Sequence, residues 1–211
     1  MKLEIVSFYS DVDDRTYYSD HAERLIRECD ELGLTHDIIK KESLGTYQKN
    51  CLSKPRFLLN KLHEKRKPFL WLDVDTYLLK DPDIFDNFPS NFDIGFATSL
   101  PQISGVKASP IFVNNTPNAE KFLETWENHA KMALAHGKKY FDHEPLFSIV
   151  SILMEEMRVG FAGPEYCVWP HQQNENTVMM MGLSDVESNK QNLRDMGMNE
   201  QKIEWQSVGT I

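Results

Sequence analysis

Cysteine is scarce in this chain. Cys29, Cys51 and Cys167 are three in number, widely separated and odd in count. No disulfide framework and no zinc-ligand spacing can be built from them, so a reducing compartment is the simpler reading. A run of roughly 18 apolar residues is also missing, which excludes a membrane-spanning helix from the expectation. Residues 1–10 lack the apolar core and small-residue cleavage site of a secretion signal, so a cytoplasmic location is expected. Positive charge is in deficit: 23 Lys and Arg face 32 Asp and Glu, for a net charge of −9. A general nucleic-acid binder needs a basic face for the phosphates and is therefore not expected. A local basic pocket for a diphosphate remains compatible with that balance. Repeats and low-complexity segments are absent.

What remains is an ordinary globular composition. Of 211 residues, 41% are apolar and 26% charged, enough for one domain with a sizeable core. Leu3 to Tyr9 reads as a first strand, followed by a polar loop from Ser10 to Asp14. Asp20 is placed to cap a helix over His21 to Leu32, with Ala22, Leu25, Ile26 and Cys29 on one stripe and Gly33 after it. His36 to Ile39 reads as a second strand. Ser53 and Pro55 open a helix carrying Phe57, Leu58, Leu59 and Leu62. Phe69 to Leu72 is a continuous apolar run, the mark of a central strand covered on both faces. Further strands are expected over Asp93 to Thr98 and Pro110 to Asn114. Helices follow over Ala119 to His136 and His143 to Arg158, then an extended stretch over Phe161 to Trp169 that Pro164 interrupts. Met179 to Met181 read as core, and a last helix is expected near Ser188 to Met196. This alternation predicts an α/β/α sandwich with a mostly parallel central sheet. Ligands of such sheets lie beyond the carboxyl ends of the strands.

The chemistry concentrates in Asp73-Val74-Asp75, directly after the apolar strand. In extended chain, residues i and i+2 point to one side, about 7 Å apart. Two carboxylates facing one crevice repel, and burial is costly without a compensating cation. A hard divalent ion, Mn²⁺ or Mg²⁺, takes oxygen ligands and also holds substrate phosphates. The competing bland reading makes the two acids the start of a surface turn. Lys54 and Arg56, just upstream, offer charge for a leaving diphosphate, or are solvated helix charge.

The stretch SKPRFLLNKLHEKRKPFLWLDVDTYLLKDP, residues 53–82, resembles the centre of a GT-A glycosyltransferase: a lysine-bearing helix, an apolar strand, Asp-x-Asp, and Asp81-Pro82 shortly after. GVKASPIFVNNTPNAEKFLETW, residues 105–126, resembles that family's strand, Asn-Thr-Pro turn and Trp-bearing helix. DHEPL, residues 142–146, resembles its Asp-Gln helix start, with His143 and Glu144 where a Gln is common. The small size also resembles glycosyltransferase domains encoded by chlorella viruses.

The resemblance implies a GT-A-like (Rossmann-like) fold in a single domain, with a nucleotide-binding part over about 1–100 and an acceptor part over about 101–211. It implies a metal-dependent hexosyltransferase using a nucleotide-diphosphate sugar, UDP-sugar by preference, and a glycan or protein-linked acceptor. Asp73, Asp75 and His171 would hold Mn²⁺ or Mg²⁺. Tyr9, Ser10 and Asp11, with Asp13 nearby, would hold the nucleoside, and Lys54 and Asp73 the diphosphate side. Asp142 and Glu144 would face the reacting sugar, as base or as charge stabilisers; alternatively they only cap a helix. Two other readings stand beside this one. A haloacid-dehalogenase-type phosphatase also begins with Asp-x-Asp, but Tyr77 occupies the position where it wants Thr or Val, and its downstream Gly-Asp motif is missing. A non-catalytic nucleotide-sugar or glycan-binding module is the other.

Overall fold

The computed structural model describes residues 2–11, 16–98, 106–138, 141–169 and 172–181. His171, Asp13 and the helix expected over Ser188 to Met196 lie outside them. Among the described residues there are eight strands: β1 (Glu4–Tyr9), β2 (His36–Lys40), β3 (Phe69–Trp71), β4 (Tyr77–Leu78), β5 (Ile94–Thr98), β6 (Val106–Val113), β7 (Val159–Ala162) and β8 (Met179–Met180). The helices are α1 (Tyr17–Glu31), α2 (Tyr47–Leu52), α3 (Lys54–Lys65), α4 (Pro117–Ala135) and α5 (Leu146–Leu153), with 3-10 turns at Asp83–Ser90 and Pro164–Tyr166.

Six strands form the central sheet in the order β2-β1-β3-β6-β5-β7. β1 runs parallel to β2 and β3, and β5 to β7, while β6 is antiparallel to both of its neighbours. The sheet is therefore mostly parallel, with one reversed strand at its centre. β4 and β8 make a separate antiparallel pair.

Each central strand sends alternate side chains into two different cores, which is why these segments read as unbroken apolar runs. Val6, Phe69, Trp71, Phe96, Ile111 and Val113 pack with Leu58 of α3, Phe122 and Trp126 of α4 and Ile149 of α5. Ile5, Leu70, Leu72, Ala97 and Phe112 pack with Leu25 and Cys29 of α1, Phe85, Phe88 and Met179. The result is the expected α/β/α sandwich.

Several boundaries differ from the sequence reading. α1 starts at Tyr17 with Thr16 at the cap position; Asp20 lies in the first turn and accepts the Thr16 hydroxyl at 3.1 Å. α5 begins after Pro145 rather than at His143 and ends at Leu153, because Met157 drops into the core and Val159 enters β7. The extended stretch stops at Ala162, and Pro164 opens a 3-10 turn. β6 starts at Val106, earlier than the expected Pro110, and carries a cis Ser109–Pro110 peptide. α2, the 3-10 turn at Asp83–Ser90 and β4 were not anticipated. The three cysteines are free. Among the described residues no helix is long and apolar enough to cross a membrane.

Candidate active site

β1 and β3 are parallel, so their carboxyl ends, Tyr9-Ser10 and Leu72-Asp73, emerge at one edge of the sheet. β6 runs the other way, and its opening residues Val106 to Ser109 reach the same edge. A cleft of about 590 Å³ lies there. Tyr9, Ser10, Lys54, Asp73, Asp75, Asp142 and Glu144 all line it, joining residues far apart in the chain.

Lys54 opens α3, which brings its side chain under the end of β3. Its ammonium is buried. It lies 2.7 Å from Asp73 Oδ1, pairs with Asp142 Oδ2, and donates to the Ala108 carbonyl at 3.2 Å. A lysine has three N–H donors, and each is directed at a protein acceptor. The Trp71 ring sits 5.4 Å below it. Burial works against this ammonium, yet Asp142 and Asp73 hold its pKa above the ordinary value. Lys54 thus ties two acids together at the base of the cleft. Arg56, two residues on and so on a different face of α3, pairs with Glu127.

The carboxylate pair has two distinct environments. Asp73 accepts from Trp71 Nε1 at 3.0 Å as well as from Lys54, and its backbone N–H donates to Ser109 Oγ at 2.9 Å. Burial pushes its carboxyl up, with Lys54 opposing. Asp75 has no ion pair or hydrogen bond to another side chain among the described residues. Burial first, and Asp73 second, push its carboxyl up to about 7. The Asp73 side chain is still 35% exposed to the cleft. Cleft water therefore screens the pair, and burial acts less strongly than in a sealed core. Two acids with one spare carboxylate, open to solvent, form an oxygen-donor set that a hard dication suits. Among the described residues no group of three or more His, Cys, Asp or Glu side chains is arranged to hold a metal ion, and the third expected ligand, His171, is outside them.

Asp142 is buried at the far end of the Lys54 bridge. Burial would raise its carboxyl, but Lys54 and a hydrogen bond from His143 bring it down to about 2. Its carbonyl accepts the Trp126 indole N–H at 2.9 Å, so α4 anchors this loop. Glu144 is exposed at the rim and accepts the Phe141 N–H at 2.8 Å. Neither residue caps α5. His143, beside both acids, is held above the usual imidazole value chiefly by its hydrogen bond to Asp142.

Asp11 does not line the cleft. It accepts from Ser19 N at 3.0 Å, bonds the Ser19 hydroxyl, and pairs with Lys40 at 3.0 Å, fastening the loop to α1. The residues that sequence reasoning missed are Ser109, which holds Asp73, and the aromatic pair Tyr47 and Phe141, 5.5 Å apart in the cleft wall. Cys51 lines the wall too, and burial pushes its thiol up, which keeps it unreactive.

The sequence matches no protein-family model and no curated protein. Solved structures do match. A glycosyltransferase involved in the glycosylation of the major capsid of PBCV-1 superposes with a TM-score of 0.67 at 14% identity, over 93% of this chain and 100% of that one. The chain has a GT-A-like glycosyltransferase fold. GlyE of Streptococcus pneumoniae TIGR4 shares the glycosyltransferase fold at a TM-score of 0.53 and 12% identity, and its apo form at 0.54 and 12%. This chain is covered over 96% and 97% in those two comparisons and spans 62% of the GlyE chain in each. In the GT-A-like frame, the Asp73–Asp75 turn occupies the edge where β1 and β3 end and β6 begins.

Proposed function

We propose that this chain is a divalent-cation-dependent glycosyltransferase. It takes a hexose from a nucleotide-diphosphate donor, a UDP-sugar, and passes it to a hydroxyl of a glycan or protein-linked acceptor. The observation that carries the reading is the pairing of an engaged Asp73 with an unpartnered Asp75 in an open cleft at the carboxyl edge of a GT-A-like sheet. The glycosyltransferases that share the fold support the same class.

In this reading Asp75 and the free oxygen of Asp73 hold Mn²⁺ or Mg²⁺, with His171 as a further ligand. A cation held there would supply positive charge to offset both acids and the departing diphosphate. Residues up to about 100 serve the donor and the remainder the acceptor. Tyr9 and Ser10 line the nucleoside end, and Asp11 acts by fixing their loop. Lys54 adds positive charge beneath the diphosphate and orients Asp73 rather than donating a hydrogen bond of its own. Asp142, kept ionised by Lys54, stabilises positive charge at the anomeric carbon as its bond to the diphosphate oxygen breaks. Glu144, at the solvent rim, takes the proton of the acceptor hydroxyl as the new bond forms.

A thermal-shift panel of nucleotide sugars with and without Mn²⁺ tests the reading. One donor, expected to be a UDP-sugar, should stabilise the protein only with the cation; at a hundredfold excess over Kd the gain is about 2.7 kcal/mol. That donor should then be turned over, and Asp75→Asn should abolish the cation-dependent part of the binding. A panel in which no donor stabilises the chain under either condition would overturn the proposal.

A further inference from the structure

Arg24 and Glu28 stand one turn apart on α1, 2.8 Å from each other, with side chains only 14% and 16% exposed. Neither lines the cleft. Arg24 Nη2 also lies 2.9 Å from His21 Nδ1 on the same helix, and the remaining partners of the pair are main-chain atoms of the turn that carries the acids. Arg24 Nη1 donates to the Thr76 carbonyl at 3.0 Å and Nη2 to the Val74 carbonyl at 3.3 Å, the two carbonyls that flank Asp75. Glu28 Oε2 accepts the Leu78 N–H at 2.9 Å. The guanidinium lies 3.5 Å over the Tyr77 ring.

An i,i+4 pair that served only the helix would sit in water and contribute a few tenths of a kcal/mol. This one is withdrawn from water, and Arg24 Nε, buried, has no acceptor among the described residues. An orphaned donor carries a desolvation cost. The guanidinium is therefore oriented by the two carbonyls, Glu28 and His21 through its Nη donors, at the cost of leaving Nε unsatisfied. A planar fork spans two carbonyls at fixed separation; an ammonium on a flexible stem does not.

We infer that Arg24, oriented by Glu28, is a positioning residue that sets the backbone of the Asp73–Leu78 turn and so presents the Asp75 carboxylate beside Asp73. The consequence for cation binding rests on the proposed function; the placement of the turn does not.

The test compares the full chain with Arg24→Lys, Arg24→Met and Glu28→Gln, without substrate. Amide exchange is followed at Thr76 and Leu78, with β1 amides as the internal reference, alongside calorimetric titration with Mn²⁺ alone and thermal unfolding. Both Arg24 variants should exchange at least tenfold faster in the turn, with β1 unchanged, and bind Mn²⁺ at least tenfold more weakly. Retained charge in Arg24→Lys should not rescue either effect. Glu28→Gln keeps an acceptor for Leu78 and should show a smaller change, about threefold, in the same direction. Should Arg24→Met fail to fold, Arg24→Lys and Glu28→Gln decide the matter. A lowered Tm with turn exchange and Mn²⁺ affinity unchanged would overturn the inference and leave these residues as ordinary packing. Faster turn exchange in variants of a wild type that binds no Mn²⁺ would sustain the positioning role and sink the cation reading of the cleft.

Discussion

At the scale of single residues, the site is organised by one buried cation between two acids. Lys54 satisfies Asp73 and Asp142 together, so its loss leaves two carboxylates without their counter-charge. Breaking a buried pair from one side costs far more than the pair contributes in net stability. Lys54→Met should destabilise the fold by about 3 kcal/mol in urea unfolding. Asp142→Asn alone should cost less, and the double variant should lose clearly less than the sum of the singles, because both report on one interaction. Additive losses would show that the bridge is not the unit of stability. Lys54 also illustrates a limit of reading sequence. Its place just before the strand was legible, but whether its donors face ligand or protein depends on Ala108 and Asp142, which arrive from 54 and 88 positions away.

At the scale of elements, β5 and β7 meet at paired glycines, Gly95 and Gly160. The aromatic 3-10 turn packs onto them so closely that a Cβ on Gly95 would lie 2.5 Å from the Phe88 ring, and one on Gly160 2.6 Å from the Phe92 ring. The Gly160 Cβ would also lie 2.8 Å from the ring of Phe88, which is buried. Gly160→Ala should therefore destabilise by about 1–3 kcal/mol through overpacking, readable as a lower urea midpoint at unchanged m-value. An unchanged midpoint would mean that the 3-10 turn shifts freely. The strands and long helices were legible because their periodicity is strong: the β3 run and the α3 stripe appear near their expected places, and the helix expected from Ala119 starts at Pro117, with Thr116 as its cap. β4, β8 and the 3-10 turn were not. Two-residue strands have no period to detect, and they exist because Tyr77 and Met180 find each other across a hundred residues.

At the scale of the whole molecule, stability should follow a dome in pH with arms of opposite origin. Asp142 is held at about 2, below the ordinary 3.8. Its contribution, about 2 kcal/mol, is complete above the unfolded value and is lost as pH falls through the folded one. Asp75, pushed up to about 7, acts in the other direction: its contribution is complete below 3.8 and lost as pH rises through 7. Unfolding followed from pH 2 to 8 without divalent ions should show maximal stability near pH 4, with a decline from there to about pH 7. Asp75→Asn should flatten the upper arm, and Asp142→Asn the lower. A profile that keeps its upper arm in Asp75→Asn would remove Asp75 as its source.

The sequence by itself determined the layered α/β architecture and the location of the acids. Both are local properties: alternation of apolar periods along the chain, and two carboxylates two residues apart behind a buried strand. Tertiary structure alone decided how those acids differ. Ser109 reaches Asp73 because β6 runs antiparallel to β3, Lys54 is saturated because Asp142 folds over it, and Asp75 is left without a partner because nothing in the packed chain comes near enough to pair with it among the described residues. Burial and charge pairing depend on distances between remote segments, and those distances are fixed only when the sheet closes its register.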